Sequence, residues 1–151
     1  MNKLPKEHMY YIAGPMTNYP QFNFPRFMEV AKHFTSQGYD MINPADLDIP
    51  AVKEEALVSV NGRVPLSGTI GGETWGDFLS RDVKTVADIV DAVLAIDRWY
   101  QSRGARLEVF TALQVGKPVW WWRANALSQM NADECLDLMT RSMTGARVIS
   151  A

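Results

Sequence analysis

A continuous apolar run, Ala92–Ile96, is the feature that most restricts how this chain can fold. Five successive apolar residues, with no polar residue between them, predict a buried strand. A polar loop with Ser102 and Gly104 follows the run, and a short helix is predicted next, over 105–115. A strand, a Ser/Gly loop and a helix N-terminus together favour an anion-binding site.

The rest of the chain alternates between strand-like and helix-like patterns. Hydrophobic periodicity and turn residues predict further strands at 9–13, 39–42 and 117–122, helices at 25–34, 74–91 and 127–141, and a short apolar stretch at 146–149. This alternation predicts an α/β fold in one domain, 1–151: a doubly wound (flavodoxin/Rossmann-like) parallel sheet with helices on both faces. Ligands bind such sheets beyond the carboxyl ends of the strands, where the strand order reverses. We therefore expect a pocket between residues 14–25 and residues 97–104.

Residues 45–73 are the least regular part of the sequence, and we expect them to form a flap or insertion that overhangs the pocket. The segments 57–60 and 63–66 flank an Asn-Gly pair at 61–62, which is the pattern of a small β-hairpin. Residues 67–72 are rich in glycine and are expected to form a flexible flap.

The composition argues against several classes of function. Of 151 residues, 47% are hydrophobic and 21% charged, and a net charge of -2 gives no basic surface for nucleic acid. No apolar segment approaches the length of a membrane span or of a signal peptide, so we expect neither. The single cysteine, Cys135, permits no internal disulfide and fits a reducing cytoplasm, and we expect it to be half-buried in a helix. His8 and His33 lack the spacing of zinc ligands, so no metal is expected.

Asp82 is the first residue whose position calls for a chemical explanation. It lies in the middle of the apolar stripe of its predicted helix, a stripe formed by Trp75, Phe78, Leu79, Val86 and Ile89. An unpaired carboxylate is costly to bury, so this side chain needs a partner or a function. A salt bridge to Arg81 or Arg106 is the structural alternative. We favour a function, because perturbed acids cluster at functional sites.

Glu108 is the single acid of the helix that follows the Ser/Gly loop, and we place it in the first turn of that helix. The helix dipole alone explains an acid in that position. Together with the acid of the preceding helix, however, it suggests one of the two carboxylates that cleave a glycosidic bond. Ser102 and Gly104 supply a hydroxyl and backbone N–H groups for a phosphate, with charge from Arg103 or Arg106.

Two groups of aromatic residues flank the predicted pocket. Tyr19, Phe22 and Phe24 are expected to pack against the protein rather than to stack on a ligand. Trp99 and the tryptophan triplet at 120–122 predict either a hydrophobic pocket wall or a subunit interface, and the sequence leaves both open.

Taken together, these segments resemble a known family. YIAGPM after the first strand, RDV in a middle helix, and SRGARLE before ALQVGKP are similar to segments of nucleoside 2-deoxyribosyltransferases. They are closest in style to the related 2′-deoxynucleoside 5′-phosphate N-hydrolases and to small phage and bacterial relatives. The resemblance runs from about residue 10 to residue 119, and the spacing of Ser102, Gly104 and Glu108 is its most specific part.

The resemblance implies a retaining glycosyl mechanism that needs no cofactor. Glu108 would attack C1′ of a deoxyribose and form a covalent intermediate. Tyr11 would hydrogen-bond and orient this glutamate. Asp82 would handle the proton of the departing base.

The same resemblance implies the substrate contacts. Ser102 occupies the position where transferases acting on free nucleosides carry an acid and nucleotide hydrolases carry serine, which favours a 5′-phosphate held by Ser102 and Gly104. Gly14 would let the backbone approach the ligand. Asp97 departs from the relatives, which often have a small residue there, and we expect it, like Asn23, to be a substrate contact and not a catalytic acid. A homodimer or higher homo-oligomer is also implied.

We therefore expect an enzyme that hydrolyses the base–sugar bond of 2′-deoxynucleoside 5′-monophosphates, with a small molecule and not a nucleic acid as its partner. A nucleoside 2-deoxyribosyltransferase, which moves the sugar to another base, is the nearest alternative. A nucleotide-binding sensor that has kept the fold without turnover is the alternative from a different class.

Overall fold

The computed structural model describes residues 3–145. Its strands are β1 (Met9–Ala13), β2 (Asp40–Ile42), β3 (Ala92–Ile96), β4 (Val119–Arg123) and β5 (Ala126–Met130). Its α-helices are α1 (Phe24–Thr35), α2 (Pro50–Leu57), α3 (Trp75–Asp88), α4 (Arg103–Gln114) and α5 (Ala132–Thr144). Short 3-10 turns lie at Pro44–Leu47 and Trp99–Gln101. The apolar stretch at 146–149 lies outside the described residues.

The sheet has the strand order β2-β1-β3-β4-β5, and its first four strands are parallel, as predicted. The strand β5 is antiparallel to β4 and follows a tight turn at Ala124 and Asn125, whose φ angles of 51° and 58° are left-handed. The helix predicted over 127–141 is therefore wrong at its start. Its first residues form β5, and α5 begins only after Asn131, whose side chain caps the helix.

Alternate residues of each strand face opposite sides of the sheet, and helices cover both sides. On one side, Tyr11, Val93 and Val119 point into a core that they form with α3, α4 and α5. On the other side, Ile12 and Leu94 pack against α1. The strand β3 is buried along its whole length, as its apolar run predicted. The expected α/β fold, a doubly wound sheet with helices on both faces, is confirmed.

The tryptophans belong largely to the core of the chain itself. Trp99, Trp120 and Trp121 are buried, and Trp122 stacks on His33 of α1. The expectation of a pocket wall or a subunit interface is wrong for the three buried residues, because they belong to the core of the chain: Trp99 and Trp121 pack in the layer with α3, α4 and α5, and Trp120 packs in the layer with α1.

The burial of Cys135 and the lengths of the helices were both predicted from the sequence. Cys135 lies in α5 and is completely buried rather than half-buried, and burial raises the pKa of its thiol to about 12. Within residues 3–145, every helix is too short or too polar to span a membrane.

Residues 45–73 do not form the predicted hairpin. The helix α2 ends where the first strand was expected, and residues 63–66 form no strand. The Asn61–Gly62 pair does form a turn, in which the side chain of Asn61 accepts a hydrogen bond from the backbone N–H of Arg63 at 3.0 Å. An isolated pair of short strands is only marginally stable, so a turn signal without a neighbouring sheet does not suffice.

Residues 45–73, which we call the roof, cover the loop that follows β1 and are held there by hydrogen bonds and packing. The backbone N–H of Asn18 donates to the carbonyl of Gly62 at 2.8 Å. Ile70, in the glycine-rich part expected to be a flexible flap, is buried and packs with Phe22. The roof is therefore part of the packed structure.

Candidate active site

The strand order reverses between β1 and β3, and this reversal opens a crevice beyond their carboxyl ends. The chain leaves β1 towards α1 on one face and leaves β3 towards α4 on the other. A cavity of about 390 Å³ lies there, within the size range of small-molecule pockets. Residues of both predicted loops line it, among them Gly14 and Ser102. The predicted location of the pocket is confirmed.

A tyrosine and a glutamate form the buried centre of the cavity. The hydroxyl of Tyr11, on β1, donates a hydrogen bond to Oε2 of Glu108, on α4. Because α4 begins at Arg103, Glu108 lies in the second turn and not in the first, and it is only 6% exposed. Burial raises the pKa of Glu108 well above its usual value, and the charge of Asp82 adds to this effect, whereas the hydrogen bond from Tyr11 opposes it. Burial also raises the pKa of Tyr11, so its hydroxyl remains a donor.

Asp82 lies on the buried stripe of α3, as predicted. Nε of Arg81 donates to its Oδ1 at 2.8 Å, so Asp82 does form the salt bridge to Arg81 that was the alternative to a function. Burial nevertheless raises the pKa of Asp82 to about 6, since the charge of Arg81 opposes the rise only in part and the charge of Asp48 adds to it. A carboxyl group that titrates near neutrality is well suited to proton transfer.

Sequence reasoning did not identify Asp48, a third carboxylate in the lining of the cavity. Nη1 of Arg81 donates to Oδ1 of Asp48, and Nη2 donates to the carbonyl of Pro44 at 3.3 Å. The side chain of Asp48 is 6% exposed, and burial raises its pKa. It lies in an irregular segment before α2, where no periodic pattern marks one side chain as buried.

The predicted Ser/Gly loop is the N-terminus of α4. Oγ of Ser102 caps the helix by accepting a hydrogen bond from the backbone N–H of Ala105 at 3.2 Å. A serine hydroxyl that accepts in this way still has a hydrogen to donate to a ligand. Gly104 lines the cavity, and within 4 Å a Cβ there would meet only Oγ of Ser102, at 3.9 Å. The protein itself therefore leaves room for a side chain at this position.

Of the two arginines considered for this anion site, the structure brings Arg103 to the cavity. Arg103 lines the cavity, and its guanidinium lies over the ring of Trp75, 5.1 Å from the ring centroid. Nη1 of Arg106 instead donates to the carbonyl of Tyr100 at 3.0 Å. The indole of Trp75 thus holds a cation beside the N-terminus of α4.

Three of the expected ligand contacts have structural roles. Gly14 lines the cavity, but a Cβ there would lie 2.5 Å from Cγ1 of Ile96, so packing alone requires glycine. Asp97 lies outside the cavity lining, and Arg26 donates to both of its carboxylate oxygens at 3.0 Å. Asn23 lies outside the lining as well, and its amide donates to a backbone carbonyl in the loop after β1 at 2.8 Å.

The opposite wall of the cavity is apolar. It belongs to a small hydrophobic cluster, separate from the two core layers, that comprises Phe22, Phe24, Ala45, Val52, Ala56 and Ile70. The two phenylalanines pack, as expected, and they also line the cavity together with Tyr19. The cavity therefore has a polar end, with the carboxyl groups and the N-terminus of α4, and an apolar end under the roof.

The fold and the cavity define an α/β protein with a buried acidic site at the point where the strand order of its sheet reverses. A family model described as a domain of unknown function (DUF4406) matches residues 8–121, most of the chain, and the chain belongs to this family. The matched region contains Tyr11, Asp82 and Glu108. Comparison with curated proteins and with solved structures gave no match.

Proposed function

We propose that the protein hydrolyses the N-glycosidic bond of 2′-deoxynucleoside 5′-monophosphates and releases the free base and 2-deoxyribose 5-phosphate. The observation that carries this proposal is the buried Glu108, which accepts a hydrogen bond from Tyr11 and shares its cavity with Asp82. One carboxyl group held in place and a second that titrates near neutrality match the needs of a retaining glycosidase.

The proposed reaction has two steps. In the first, a carboxylate oxygen of Glu108 bonds to C1′ while the bond from C1′ to the base nitrogen breaks. The base leaves with the electrons of that bond and takes a proton from Asp82. In the second, the oxygen of a water molecule bonds to C1′ and releases Glu108, and Asp82 accepts the proton of that water. One water is consumed, and both acids return to their starting states.

The two carboxyl groups influence each other's ionisation. Both side chains are buried, and the charge on Asp82 raises the pKa of Glu108, so ionisation of both is unfavourable. The hydrogen bond from Tyr11 supports the negative charge on Glu108. The proposed first step uses the ionised form of Glu108 and the protonated form of Asp82, and the hydrogen bond from Tyr11 favours the first of these.

The polar end of the cavity suits a 5′-phosphate. The hydroxyl of Ser102 and the backbone N–H groups at the start of α4 are donors, and the positive end of the helix dipole favours an anion. Arg103 adds a positive charge at the same end. With the phosphate there, the base lies towards the apolar wall around Phe22.

The proposal is tested by incubating the protein with each deoxynucleoside 5′-monophosphate, with and without an acceptor base. Equal rates of formation of free base and deoxyribose 5-phosphate support hydrolysis. Faster formation of a new nucleotide than of the free sugar phosphate contradicts hydrolysis and supports a transferase. Nucleotide binding without any release of base supports the sensor instead. Deoxynucleosides that lack the phosphate serve as the comparison, and we expect them to react more slowly.

A further inference from the structure

Arg81 is shared between two buried carboxylates. Its Nε lies 2.8 Å from Oδ1 of Asp82, and its Nη1 donates to Oδ1 of Asp48. Its Nη2 reaches the carbonyl of Pro44 at 3.3 Å, and its Cζ lies 5.8 Å from the ring centroid of Phe78. Since the guanidinium is planar and rigid, it cannot move closer to one carboxylate without loosening its bond to the other.

Asp48 comes to this position from a distant part of the chain. It directly follows the 3-10 turn Pro44–Leu47, whereas Arg81 and Asp82 lie on α3. Its side chain is only 6% exposed, although burial of a carboxylate is costly. One guanidinium facing two carboxylates leaves the group with an excess of negative charge, which favours retention of a proton by one of them.

We propose that Asp48 is a positioning residue that divides Arg81 between itself and Asp82 and thereby keeps Asp82 available as the proton donor. The catalytic meaning of this inference rests on the proposed function. Asp48 occupies part of the hydrogen-bonding capacity of the guanidinium and places a second negative charge close to Asp82. Both effects favour the protonated form of Asp82.

The charges around Asp82 act in opposite directions. Burial is the largest cause of its raised pKa, Arg81 lowers that pKa, and Asp48 raises it. Four other ionisable groups act on the two carboxylates, and they come from β1, α4, α2 and the last residue of the roof: Tyr11, Glu108, Lys53 and Glu73. Removal of Asp48 and removal of Arg81 must therefore shift the pKa of Asp82 in opposite directions.

The test uses the full chain with Asp48→Asn, Arg81→Met and the control Asp46→Asn. The amide introduced by Asp48→Asn is isosteric with the carboxylate and still accepts a hydrogen bond from Arg81. Asp46 lies in the 3-10 turn that precedes Asp48, and its side chain is 67% exposed and pairs with Lys53. The pH titration of the Asp82 carboxyl carbon is followed by NMR, and the alkaline limb of kcat/KM, where a proton donor loses its proton, is measured in parallel. Thermal unfolding checks that each variant is folded.

We expect the midpoint for Asp82 to fall in Asp48→Asn and to rise in Arg81→Met, since a neighbouring charge shifts a carboxyl pKa by about 1–3 units. Arg81→Lys keeps the positive charge but lacks the planar set of donors of the guanidinium. We therefore expect its Asp82 midpoint to lie between those of Arg81→Met and the unchanged protein. Asp46→Asn leaves it unchanged. If Asp48→Asn does not fold, Asp48→Ser replaces it, with the same expected direction.

Shifts of Asp48→Asn and Arg81→Met in the same direction, or a midpoint in Asp48→Asn equal to that of Asp46→Asn, would overturn the inference. The NMR titration needs no substrate, so it tests the inference even where no deoxynucleotide is cleaved. If the Asp82 midpoint shifts in opposite directions in the two variants but no deoxynucleotide releases its base, the proposed function is overturned. The sharing of Arg81 between Asp48 and Asp82 would still be established.

Discussion

The hydroxyl of Tyr11 donates a hydrogen bond to Glu108 across 97 positions of the chain, and both side chains are buried. The pair joins a central strand to the helix that follows the next strand of the sheet, so it forms only when β1, β3 and α4 are all in place. A charged acceptor makes such a hydrogen bond stronger than one between neutral groups. Formation of the sheet and the orientation of Glu108, the nucleophile of the proposed function, are therefore linked.

Replacement of Glu108 by Gln tests the nucleophile. The amide is isosteric and can still accept from Tyr11, but it cannot form the covalent intermediate, so we expect base release to fall by at least about 10³-fold. Nucleotide binding, measured by calorimetry, should be retained. Glu29→Gln, at a side chain that is 70% exposed on α1, is the control and should react normally. Substantial turnover in Glu108→Gln would contradict the mechanism.

Tyr11→Phe tests the orienting hydroxyl. Without this donor the pKa of Glu108 rises further, and loss of a hydrogen bond to a charged group corresponds to a fall in kcat of about 10- to 100-fold. The KM should change little. Tyr10→Phe is a matched control, because that hydroxyl lies on the other face of β1 and donates to the carbonyl of Pro5 at 2.7 Å. Equal losses in both variants would indicate general destabilisation.

Gly104→Ala separates folding from binding. The added methyl group has space within the protein, and alanine is favoured over glycine in a helix by about 0.5–1 kcal/mol, so the variant should not be less stable. The methyl group should nevertheless raise KM for a nucleotide, since it enters the cavity beside Ser102. Gly76→Ala, near the start of α3, is the control with similar free space and an unchanged KM. An unaltered KM in Gly104→Ala would place the phosphate elsewhere.

Asp82→Asn should change how stability depends on pH. The pKa of Asp82 is raised from 3.8 to about 6 in the folded protein, so the folded state binds its proton more tightly than the unfolded state does. The resulting stabilisation is present below pH 3.8 and is lost as the pH rises through 6, on the order of 3 kcal/mol in total. Urea unfolding of both proteins across this range measures the difference. A difference independent of pH would contradict the raised pKa.

Methylation of the base should increase reactivity. The wall around Phe22, Val52 and Ile70 is apolar, and burial of one methyl group in such a wall raises kcat/KM by about 10-fold or more. The comparison uses pairs of deoxynucleotides that differ only in a methyl group on the base. Consistently slower cleavage of the methylated member would show that this wall does not receive the base.

The central part of the fold could be predicted because its signals are local. The run Ala92–Ile96 is apolar throughout, and Thr74, the residue at which the predicted helix begins, is the N-cap of α3. Asp82 could be identified because it lies on the apolar stripe of its helix, and Glu108 because it is the single acid of its own.

Other elements lacked such signals. The turn between β4 and β5 uses Ala124 and Asn125 in the left-handed region without the glycine that usually marks a hairpin, so β5 was interpreted as helix. The Asn-Gly pair at 61–62 is a local turn signal. Whether a sheet lies beside it depends on distant parts of the chain, which the local pattern does not reveal. Asp48 meets Arg81 only because the roof folds back on α3, and 33 positions separate them.

The separate hydrophobic cluster under the roof has a consequence for how this family can diversify. Tyr11, Asp82 and Glu108 are carried by β1, α3 and α4, whereas three of the six residues of the separate cluster, Val52, Ala56 and Ile70, lie within 50–70. Substitutions or changes of length in 50–70 can reshape the apolar end of the cavity while the elements that carry Tyr11, Asp82 and Glu108 stay the same. Under the proposed function, choice of substrate and bond cleavage are encoded in different stretches of the chain, so new specificities can evolve while the chemistry is kept.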